Sequence, residues 1–342
     1  MNIEILGGCA EYGRNCFYVE VNQQAILFDC GVMNDETQRL PNLEKRHVEK
    51  LQAVFISHLH KDHVGALSFL AELGYQGPVL LSETTKDWLP FTDTLQFVSF
   101  QTTQQAVWQQ VTPNLKFIWG NSGHVLGSVW YSVLFQEKQV FFSGDVSLTS
   151  PLYPVDAPPR LVYDVAFIDS GNAGQLINNL GSKEEIRQLI AEESTLSFKI
   201  ESKFTSKCVE ILLYLFQTTK TNLFVDEAIE QWLHFHWKHR DNLLKQTQMD
   251  LQNLLASDRL QRATKRENGV YFLTKEQFLA TKMEDSLNRI PFKNHLDTSD
   301  IYYVSTYLGA TKTIYFHNEA CTADTTLAEI IALNQTGNWK DV

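Results

Sequence analysis

The sequence predicts an α/β fold in which a strand-rich region is divided by an inserted α/β segment. The first 170 residues alternate short apolar runs with turns, whereas helical periodicity dominates beyond Gly181. The last 50 residues return to the strand-rich pattern. We therefore predict a first domain part over residues 1–175, an insertion over 176–290 and a closing segment over 291–342.

The first part contains eight apolar runs with the length and composition of strands. Helical patterns fall between them, chiefly over residues 64–74 and 84–92. The predicted strands are NCFYVEV, AILFDCG, AVFIS, PVLLSE, LKFIWG, VWYSVLF, QVFFSGD and VAFIDS.

The predicted insertion alternates strands with longer helices. Helices are predicted at SKEEIRQLIAEE and SKCVEILLYLFQTT, with the strand LSFKI between them. The strand NLFVDE precedes a long helix over residues 227–255, and the strand GVYFLT precedes the helix KEQFLATKMEDSLNR. The closing segment is predicted as the helix DTSDIYYVSTYLG, the strand TIYFH and a last helix over residues 322–334.

The composition excludes some classes of protein. The net charge of −11 disfavours a protein that coats nucleic acid through a basic surface. No apolar run approaches the roughly 20 residues that a bilayer crossing requires, so no membrane partner is expected. The five cysteines are widely spaced and form no C-x-x-C motif, which favours reduced thiols and a cytoplasmic location. The start MNIEILGG has no signal-peptide pattern, which agrees with that location.

The stretch FISHLHKDHVGAL concentrates metal-type side chains directly after a predicted buried strand. His58 and His60 alternate on an extended backbone and therefore point the same way, while Asp62 and His63 follow just past the turn. Neutral imidazoles and carboxylates suit Zn²⁺, and Mn²⁺ becomes an alternative where carboxylates are numerous. The sequence therefore predicts a metal site at the carboxyl end of this strand.

Three further metal-type residues also follow predicted strands. His124 lies in SGHVLGS, Asp145 in FFSGDVS and His317 in TIYFHNE. Because α/β proteins gather ligands at the carboxyl ends of strands, we expect these side chains to meet the first group at one sheet edge.

The ordered motifs resemble those of the metallo-β-lactamase fold, and more specifically of the β-CASP nucleases, which include ribonuclease J and the nuclease of the polyadenylation machinery. GGCAEYGRNCFYVE resembles the opening of that family, and SGHVLGS resembles its third metal motif. Asp29 in ILFDCGV matches its first acidic motif, and Asp169 in AFIDSGNA resembles its motif A. His295 in NHLDTSD resembles the motif B histidine, and His317 resembles motif C.

The resemblance implies an αββα sandwich with a short inserted β-CASP-like α/β domain and a site for two divalent cations, with Zn²⁺ favoured over Mn²⁺. Asp145 would bridge the two cations. His295 would act as the general acid, with Asp169 orienting it, and Asp29 would support a ligand histidine or a turn. The implied ligands are His58, His60, His124 and Asp145 for one cation, and Asp62, His63, Asp145 and His317 for the other.

The implied activity is that of a metal-dependent nuclease with a nucleic acid substrate, RNA favoured over DNA. One departure concerns Lys293 and Asn294, which stand where the family usually has Ser-Gly before the motif B histidine. That pair helps to hold a substrate phosphate in the family. Two alternatives therefore stay open: a binuclear hydrolase of a small molecule such as a lactone, thioester or cyclic nucleotide, and an inactive nuclease-like scaffold.

Two further questions are left open by the sequence. WLHFHWKHRDN carries His234, His236 and His239, which fit either a buried packing surface, a second metal site or a base-stacking surface. The oligomeric state is open between a monomer and a homodimer.

Overall fold

The computed structural model describes residues 1–89, 94–100, 105–175, 177–193, 195–200, 206–265, 267–281, 283, 285 and 290–336, with the side chains of 334–336 left out. The chain forms two compact units. The first unit comprises Met1–Thr149, Val155–Leu176 and His295–Val342, and the second comprises Ser150–Pro154 and Ile177–Asn294.

The first unit contains a six-stranded sheet with the order β1-β2-β3-β4-β5-β6. The strands β1, β2 and β3 pair antiparallel, and β3 to β6 pair parallel. Their bounds are Asn2–Gly7 (β1), Cys16–Val21 (β2), Gln24–Phe28 (β3), Leu51–Phe55 (β4), Pro78–Ser82 (β5) and Gln96–Phe100 (β6).

A second six-stranded sheet of the same unit includes the last strand of the chain, β16 (Lys312–Phe316). It contains β7 (Gln109–Thr112), β8 (Leu115–Asn121), β9 (Val129–Phe135), β10 (Lys138–Phe142) and β11 (Val165–Asp169), in the order β16-β11-β10-β9-β8-β7. The strands β7 to β10 pair antiparallel, and β10, β11 and β16 pair parallel.

The two sheets pack face to face through an aromatic core. The ring of Phe28 stacks on that of Phe142 with centroids 4.9 Å apart, and Phe17 contacts Phe316 at the same distance. Aromatic pairs of this kind add about 0.5–1.5 kcal/mol beyond the burial of their area. The strands are apolar on both faces because one face meets the other sheet and the opposite face meets helices.

Helices cover the outer face of each sheet. Leu67 and Leu70 pack in one cluster with Leu27 of β3, and Ile301 packs in another with Ile168 of β11. The αββα sandwich predicted from the sequence is therefore confirmed. The helices of this unit are α1 (Lys45–Val48), α2 (Lys61–Val64), α3 (Leu67–Glu72), α4 (Glu83–Trp88), α10 (Thr298–Leu308) and α11 (Leu327–Thr336).

The second unit has a four-stranded parallel sheet with the order β12-β15-β13-β14. Its strands are Thr195–Ile200 (β12), Leu223–Val225 (β13), Leu260–Arg262 (β14) and Gly269–Thr274 (β15). Its helices are Asn179–Glu192 (α5), Ser206–Thr218 (α6), Glu227–Lys238 (α7), Lys245–Leu255 (α8) and Lys275–Thr281 (α9).

Some predicted helices are divided or shortened. The helix predicted over 64–74 is divided into α2 and α3, because α2 ends at its cap Gly65 and Ala66, with φ −100° and ψ 14°, leaves the helical conformation before α3 begins. The helix predicted over 227–255 is broken by a 3-10 turn at Arg240–Asn242, after which Leu243 is extended. The final residues of the helices predicted over 84–92 and at KEQFLATKMEDSLNR fall partly outside the described residues.

The three histidines of α7 and its end do not form a metal cluster among the residues that the structure describes. His236 is buried, with Nδ1 2.8 Å from the Trp232 carbonyl oxygen and Nε2 2.8 Å from the Tyr153 hydroxyl. His234 is exposed. Of the three interpretations that the sequence left open for these histidines, burial in a packing surface is therefore the one that describes His236. None of the described helices has the length and apolar character needed to cross a bilayer.

Candidate metal centre

The metal-type residues lie where strands of both sheets end. His58 and His60 follow β4 of the first sheet. In the second sheet, His124 follows β8, Asp145 follows β10 and His317 follows β16. The strands β8, β10, β11 and β16 all run in the same direction, because β9 is antiparallel to both β8 and β10. Their carboxyl ends therefore meet at one edge, which the sequence pattern predicted.

A first cluster contains His58, His60, His124 and Asp145, whose ligand atoms all lie within 4.8 Å of one another. The Nδ1 atom of His60 lies 2.9 Å from His58 Nε2 and 3.2 Å from His124 Nε2. Asp145 Oδ2 lies 3.6 Å from His58 Nε2 and 3.5 Å from His124 Nε2. Three imidazoles and one carboxylate thus point into one small volume.

A second cluster contains Asp62, His63 and His317, with Asp145 beside it. Asp62 Oδ2 lies 3.5 Å from His63 Nε2 and 3.6 Å from His317 Nδ1. Asp145 contacts the same cluster, with Oδ2 3.3 Å from His63 Nε2 and Oδ1 3.9 Å from His317 Nδ1. The two clusters therefore share Asp145, as expected of a bridging carboxylate.

The state of Asp145 shows that these residues fit a bound cation. Its side chain is buried, and neither carboxylate oxygen has a hydrogen-bond partner among the described residues. Burial would raise the pKa of Asp145, but the imidazoles of His63, His317 and His295 outweigh it and hold the pKa well below its ordinary range. Ligand atoms about 2.0–2.1 Å from one tetrahedral ion lie roughly 3.3–3.4 Å apart. The observed separations around Asp145 are close to that value.

His58 is prepared as a neutral ligand. Burial lowers the pKa of its imidazole well below the ordinary value, and the neighbouring histidines His63 and His60 lower it further. A metal ligand must be the neutral imidazole, so this environment favours coordination over protonation.

Asp29 supports His63 from behind the second cluster. Its Oδ2 lies 2.6 Å from His63 Nδ1, and Ser57 donates to the same carboxylate from its backbone N–H at 2.7 Å and its hydroxyl at 2.8 Å. Such carboxylate–histidine contacts fix the tautomer and the direction of the other ring nitrogen. Asp29 and His317 both adopt positive φ, 54° and 65°, in the left-handed region that few non-glycine residues occupy.

His295 lies beside the clusters and contacts Asp169. Its Nδ1 is 3.1 Å from Asp169 Oδ2 and 3.8 Å from Asp145 Oδ2, and its ring stacks on that of His317 at 4.6 Å. Burial lowers the pKa of His295, but the Asp169 and Asp145 carboxylates raise it to about 9. Asp169 is itself fixed by the backbone N–H groups of Val146 and Gly171, at 3.0 and 2.9 Å.

The structure adds residues that the motifs did not single out. Asn172 accepts a hydrogen bond from the backbone N–H of His295 at 2.9 Å. Asn15 places its amide nitrogen against the second cluster, and Ser57 contacts both Asp29 and the ring of His58. All three stand next to or within the quoted motifs, but the sequence does not show which of a motif's polar neighbours turns its side chain inward.

Two face-to-face sheets with histidine and aspartate clusters at one edge define an αββα protein with a candidate site for divalent metal. The chain belongs to the metallo-β-lactamase superfamily, whose sequence model matches residues 10–186. Divalent metal binding is a property of this fold, and the clusters described above provide the ligand types for it.

Named relatives agree with the resemblance predicted from the motifs, which is confirmed. The chain is 30% identical to an RNase J-like protein of Methanocaldococcus jannaschii over 201 residues, 55% of this chain and 47% of that protein. It is 29% identical to cleavage and polyadenylation specificity factor subunit 3-II of Arabidopsis thaliana over 180 residues, 43% of this chain and 29% of that protein. Integrator complex subunit 11 of Danio rerio is 30% identical over 177 residues, 42% and 29% of the two chains. The matches span less than half the length of each of these relatives.

Among solved structures, a protein of unknown function from Enterococcus faecalis V583 has a similar fold over nearly the whole chain. The TM-score is 0.61 at 12% sequence identity, covering 93% of this chain and 94% of that one. At this identity the similarity concerns the fold alone.

Proposed function

We propose that this protein is a metal-dependent nuclease that hydrolyses phosphodiester bonds, with RNA as the favoured substrate and DNA as the less favoured one. The observation that carries the proposal is the meeting of two metal-type clusters with the His295–Asp169 pair at one edge of the sandwich. Its similarity to proteins named as an RNase J-like protein and a polyadenylation factor subunit favours RNA.

The ligand assignment follows the two clusters. We assign His58, His60, His124 and Asp145 to one cation, and Asp62, His63, Asp145 and His317 to the other. Zn²⁺ is favoured for the imidazole-rich first set, and Mn²⁺ is the alternative because carboxylates contribute to both sets. Asp145 is assigned to both sets because its Oδ2 lies 3.6 and 3.5 Å from His58 and His124 of the first set and 3.3 Å from His63 of the second. Its Oδ1 lies 3.9 Å from His317, also of the second set.

The residues of the two sets would hold two divalent cations, which would supply Lewis-acid activation of water at neutral pH and of a phosphoryl oxygen. The protein positions those ions through rigid strand ends, and Asp29 orients His63 for that purpose. Asp62 and Asp145 are buried carboxylates, and their two negative charges would offset part of the charge of the cations.

His295 is assigned as the proton donor to the leaving oxygen. Its position beside both clusters, with a side chain 12% exposed, allows a bound phosphodiester to reach it. Asp169 accepts the Nδ1 hydrogen and leaves Nε2 to face the substrate, and the Asn172 contact fixes the backbone of His295. Asp169 is therefore a positioning residue in this scheme.

A cytoplasmic location is part of the proposal. All five cysteines are free thiols, and four of them are buried, which suits a reducing compartment. A homodimer is proposed as the alternative to a monomer, and sedimentation of the purified chain measures which form exists at working concentration.

The central experiment uses metal-loaded protein with 5′-labelled RNA and DNA strands. We expect cleavage of RNA, loss of most turnover in His295→Ala with both ions retained, and loss of both ions in Asp145→Asn. His234→Ala is the matched control, because His234 is an exposed histidine of the second unit. Full activity of His295→Ala would refute the proton-donor assignment, and two ions in Asp145→Asn would refute the bridge.

A hydrolase of small molecules is the second candidate. Lys293 and Asn294 in place of the family's Ser-Gly favour it, because that pair helps to hold a substrate phosphate in the family. Cleavage of neither polymer, together with hydrolysis of a thioester, lactone or cyclic nucleotide by the same preparation, would support this candidate over the nuclease. A preparation with two bound ions and no hydrolysis of any of these would indicate the inactive scaffold.

A further inference from the structure

The side chain of Asn15 faces the second cluster. Its amide nitrogen lies 3.0 Å from His63 Nε2, 3.3 Å from Asp62 Oδ2 and 3.4 Å from His317 Nδ1. These three atoms are the ones assigned to the second cation. One amide group is thus aimed at all three of the ligand residues that belong to this cluster alone.

The other end of the amide has no partner. Asn15 is completely buried, and its Oδ1 atom has no hydrogen-bond partner among the described residues. Folded proteins rarely keep a buried carbonyl oxygen in this condition, and such an atom calls for an explanation. One explanation is that Oδ1 of Asn15 has its partner in another state of the site.

The backbone around Asn15 is fixed by the loops of the site. Its N–H donates to the Asp62 carbonyl oxygen at 2.8 Å, and its own carbonyl accepts from Gly31 N–H at 3.0 Å. Gly8 has φ 95°, and an added Cβ there would lie 2.5 Å from Asn15 Oδ1. Gly7 is equally confined, because an added Cβ would lie 2.2 Å from the Arg14 carbonyl oxygen. The glycine pair that opens the chain's first motif therefore makes room for the Asn15 segment.

An asparagine presents either nitrogen or oxygen to the same point after a half-turn about its Cβ–Cγ bond. Without a cation, the two amide N–H groups can donate to the Asp62 carboxylate and to a ring nitrogen of His63 or His317 that carries a lone pair. A cation takes those same lone pairs, and the N–H groups would then face a positive charge. The half-turn removes that repulsion and brings the unpartnered oxygen to the ion.

We propose that Asn15 turns its carbonyl oxygen toward the second cation and makes this position selective for an oxygen-preferring ion such as Mn²⁺. Amide oxygens and carboxylates suit harder divalent ions, whereas the three imidazoles of the first cluster suit Zn²⁺. The two positions therefore differ in metal preference. This inference rests on the two-cation site of the proposed function, and it does not depend on the substrate.

The test measures metal binding in the absence of any nucleic acid. Metal-free protein is titrated with Mn²⁺ while free Mn²⁺ is followed by electron paramagnetic resonance, and bound ions are counted by native mass spectrometry. The variants are Asn15→Ala and the isosteric Asn15→Asp. Gln139→Ala is the matched control, since Gln139 is another buried amide of the first unit, bonded to Ser132 at 2.9 Å.

We expect Asn15→Ala to weaken the second Mn²⁺ by about 10- to 100-fold and to leave the first unchanged, the loss typical when a supporting group of a metal site is removed. The loss should be smaller when Zn²⁺ replaces Mn²⁺. Asn15→Asp should bind the second Mn²⁺ at least as tightly as the unaltered protein, because it keeps an oxygen there and adds charge. Gln139→Ala should match the unaltered protein.

Three results would overturn the inference. Tighter binding of the second Mn²⁺ by Asn15→Ala would show that the amide blocks the position, and unchanged binding would show that Asn15 only packs. Weaker binding by Asn15→Asp would also overturn it, and this outcome decides the question if the alanine variant fails to fold. Because ions are counted without RNA, a protein that behaves as expected here and cleaves no polymer would refute the nuclease proposal alone.

Discussion

A substitution at Gly171 can displace His295 while every assigned ligand and the proton donor itself keep their identity. The residue lies two positions after Asp169, the last residue of β11. An added Cβ would lie 2.6 Å from Cγ and 2.9 Å from Cβ of His295. The substitution Gly171→Ala therefore pushes the imidazole away from its present position.

The size of the displacement follows from this distance. Carbon atoms in contact prefer separations of about 3.5–4.0 Å, so the ring of His295 must move by roughly 1 Å. That movement lengthens the 3.1 Å contact between His295 Nδ1 and Asp169 Oδ2. A misplacement of about 1 Å at a reacting group can cost a factor of roughly 100 in rate. We expect Gly171→Ala to lose about that factor in single-turnover cleavage of labelled RNA.

The control separates this effect from the general cost of replacing a glycine. Gly181→Ala adds a methyl group whose nearest neighbour, Asn178 Cγ, is 3.8 Å away, an ordinary contact. We expect its activity to equal that of the unaltered protein. Ion counts should be the same for both variants, and both should remain folded by circular dichroism. Full activity in Gly171→Ala, with His295 shown by structure to be displaced, would refute the role given to that histidine.

Two other predictions test the support of the site and the packing of the second unit. Asp29→Asn should weaken cation binding by about 10- to 100-fold, because it removes the carboxylate that orients His63. Competition with a chelator measures this affinity, and Asp35→Asn, at an exposed aspartate, is the control. Equal cation affinities in the two variants would contradict the prediction. Burial lowers the pKa of His236 from its ordinary value of 6.5 to about 4. The folded state therefore resists protonation, and stability present above pH 6.5 is lost as the pH falls through 4, by about 3 kcal/mol in total. Urea unfolding at pH 7 and 4.5 should show that His236→Gln loses less of its free energy of unfolding on acidification than the unaltered protein does. Equal losses in the two proteins would contradict the lowered pKa of His236.

The sandwich and the edge that carries the site could be predicted because buried strands and their ends have clear sequence patterns. VAFIDS is apolar on both faces, since Val165 and Phe167 meet the first sheet while Ala166 and Ile168 meet helices. Such runs mark interior strands with little ambiguity. The candidate metal ligands follow these apolar runs directly in the sequence. Their meeting at one edge of the sheet could therefore be predicted from the sequence.

Other elements of the fold have weaker sequence patterns. QFVSF and QQVT form β6 and β7, edge strands with few buried positions, and neither was predicted. The long predicted helix of the insertion is interrupted because Leu243 leaves the helical backbone to bury its side chain, a tertiary effect that periodicity cannot show. The role of Asn15 could not be predicted either, because it depends on contacts with residues 47 and 302 positions away.

The hydrogen bond between Asp169 and His295 joins residues 126 positions apart, with most of the second unit between them. His317 comes later still, after β16 has completed its sheet. Contacts between such distant parts of a chain form slowly, because a long loop must close before they are made. A chain still being synthesised holds the early histidines without their late partners. The order of residues therefore delays assembly of the full centre until the chain has been made as far as His317.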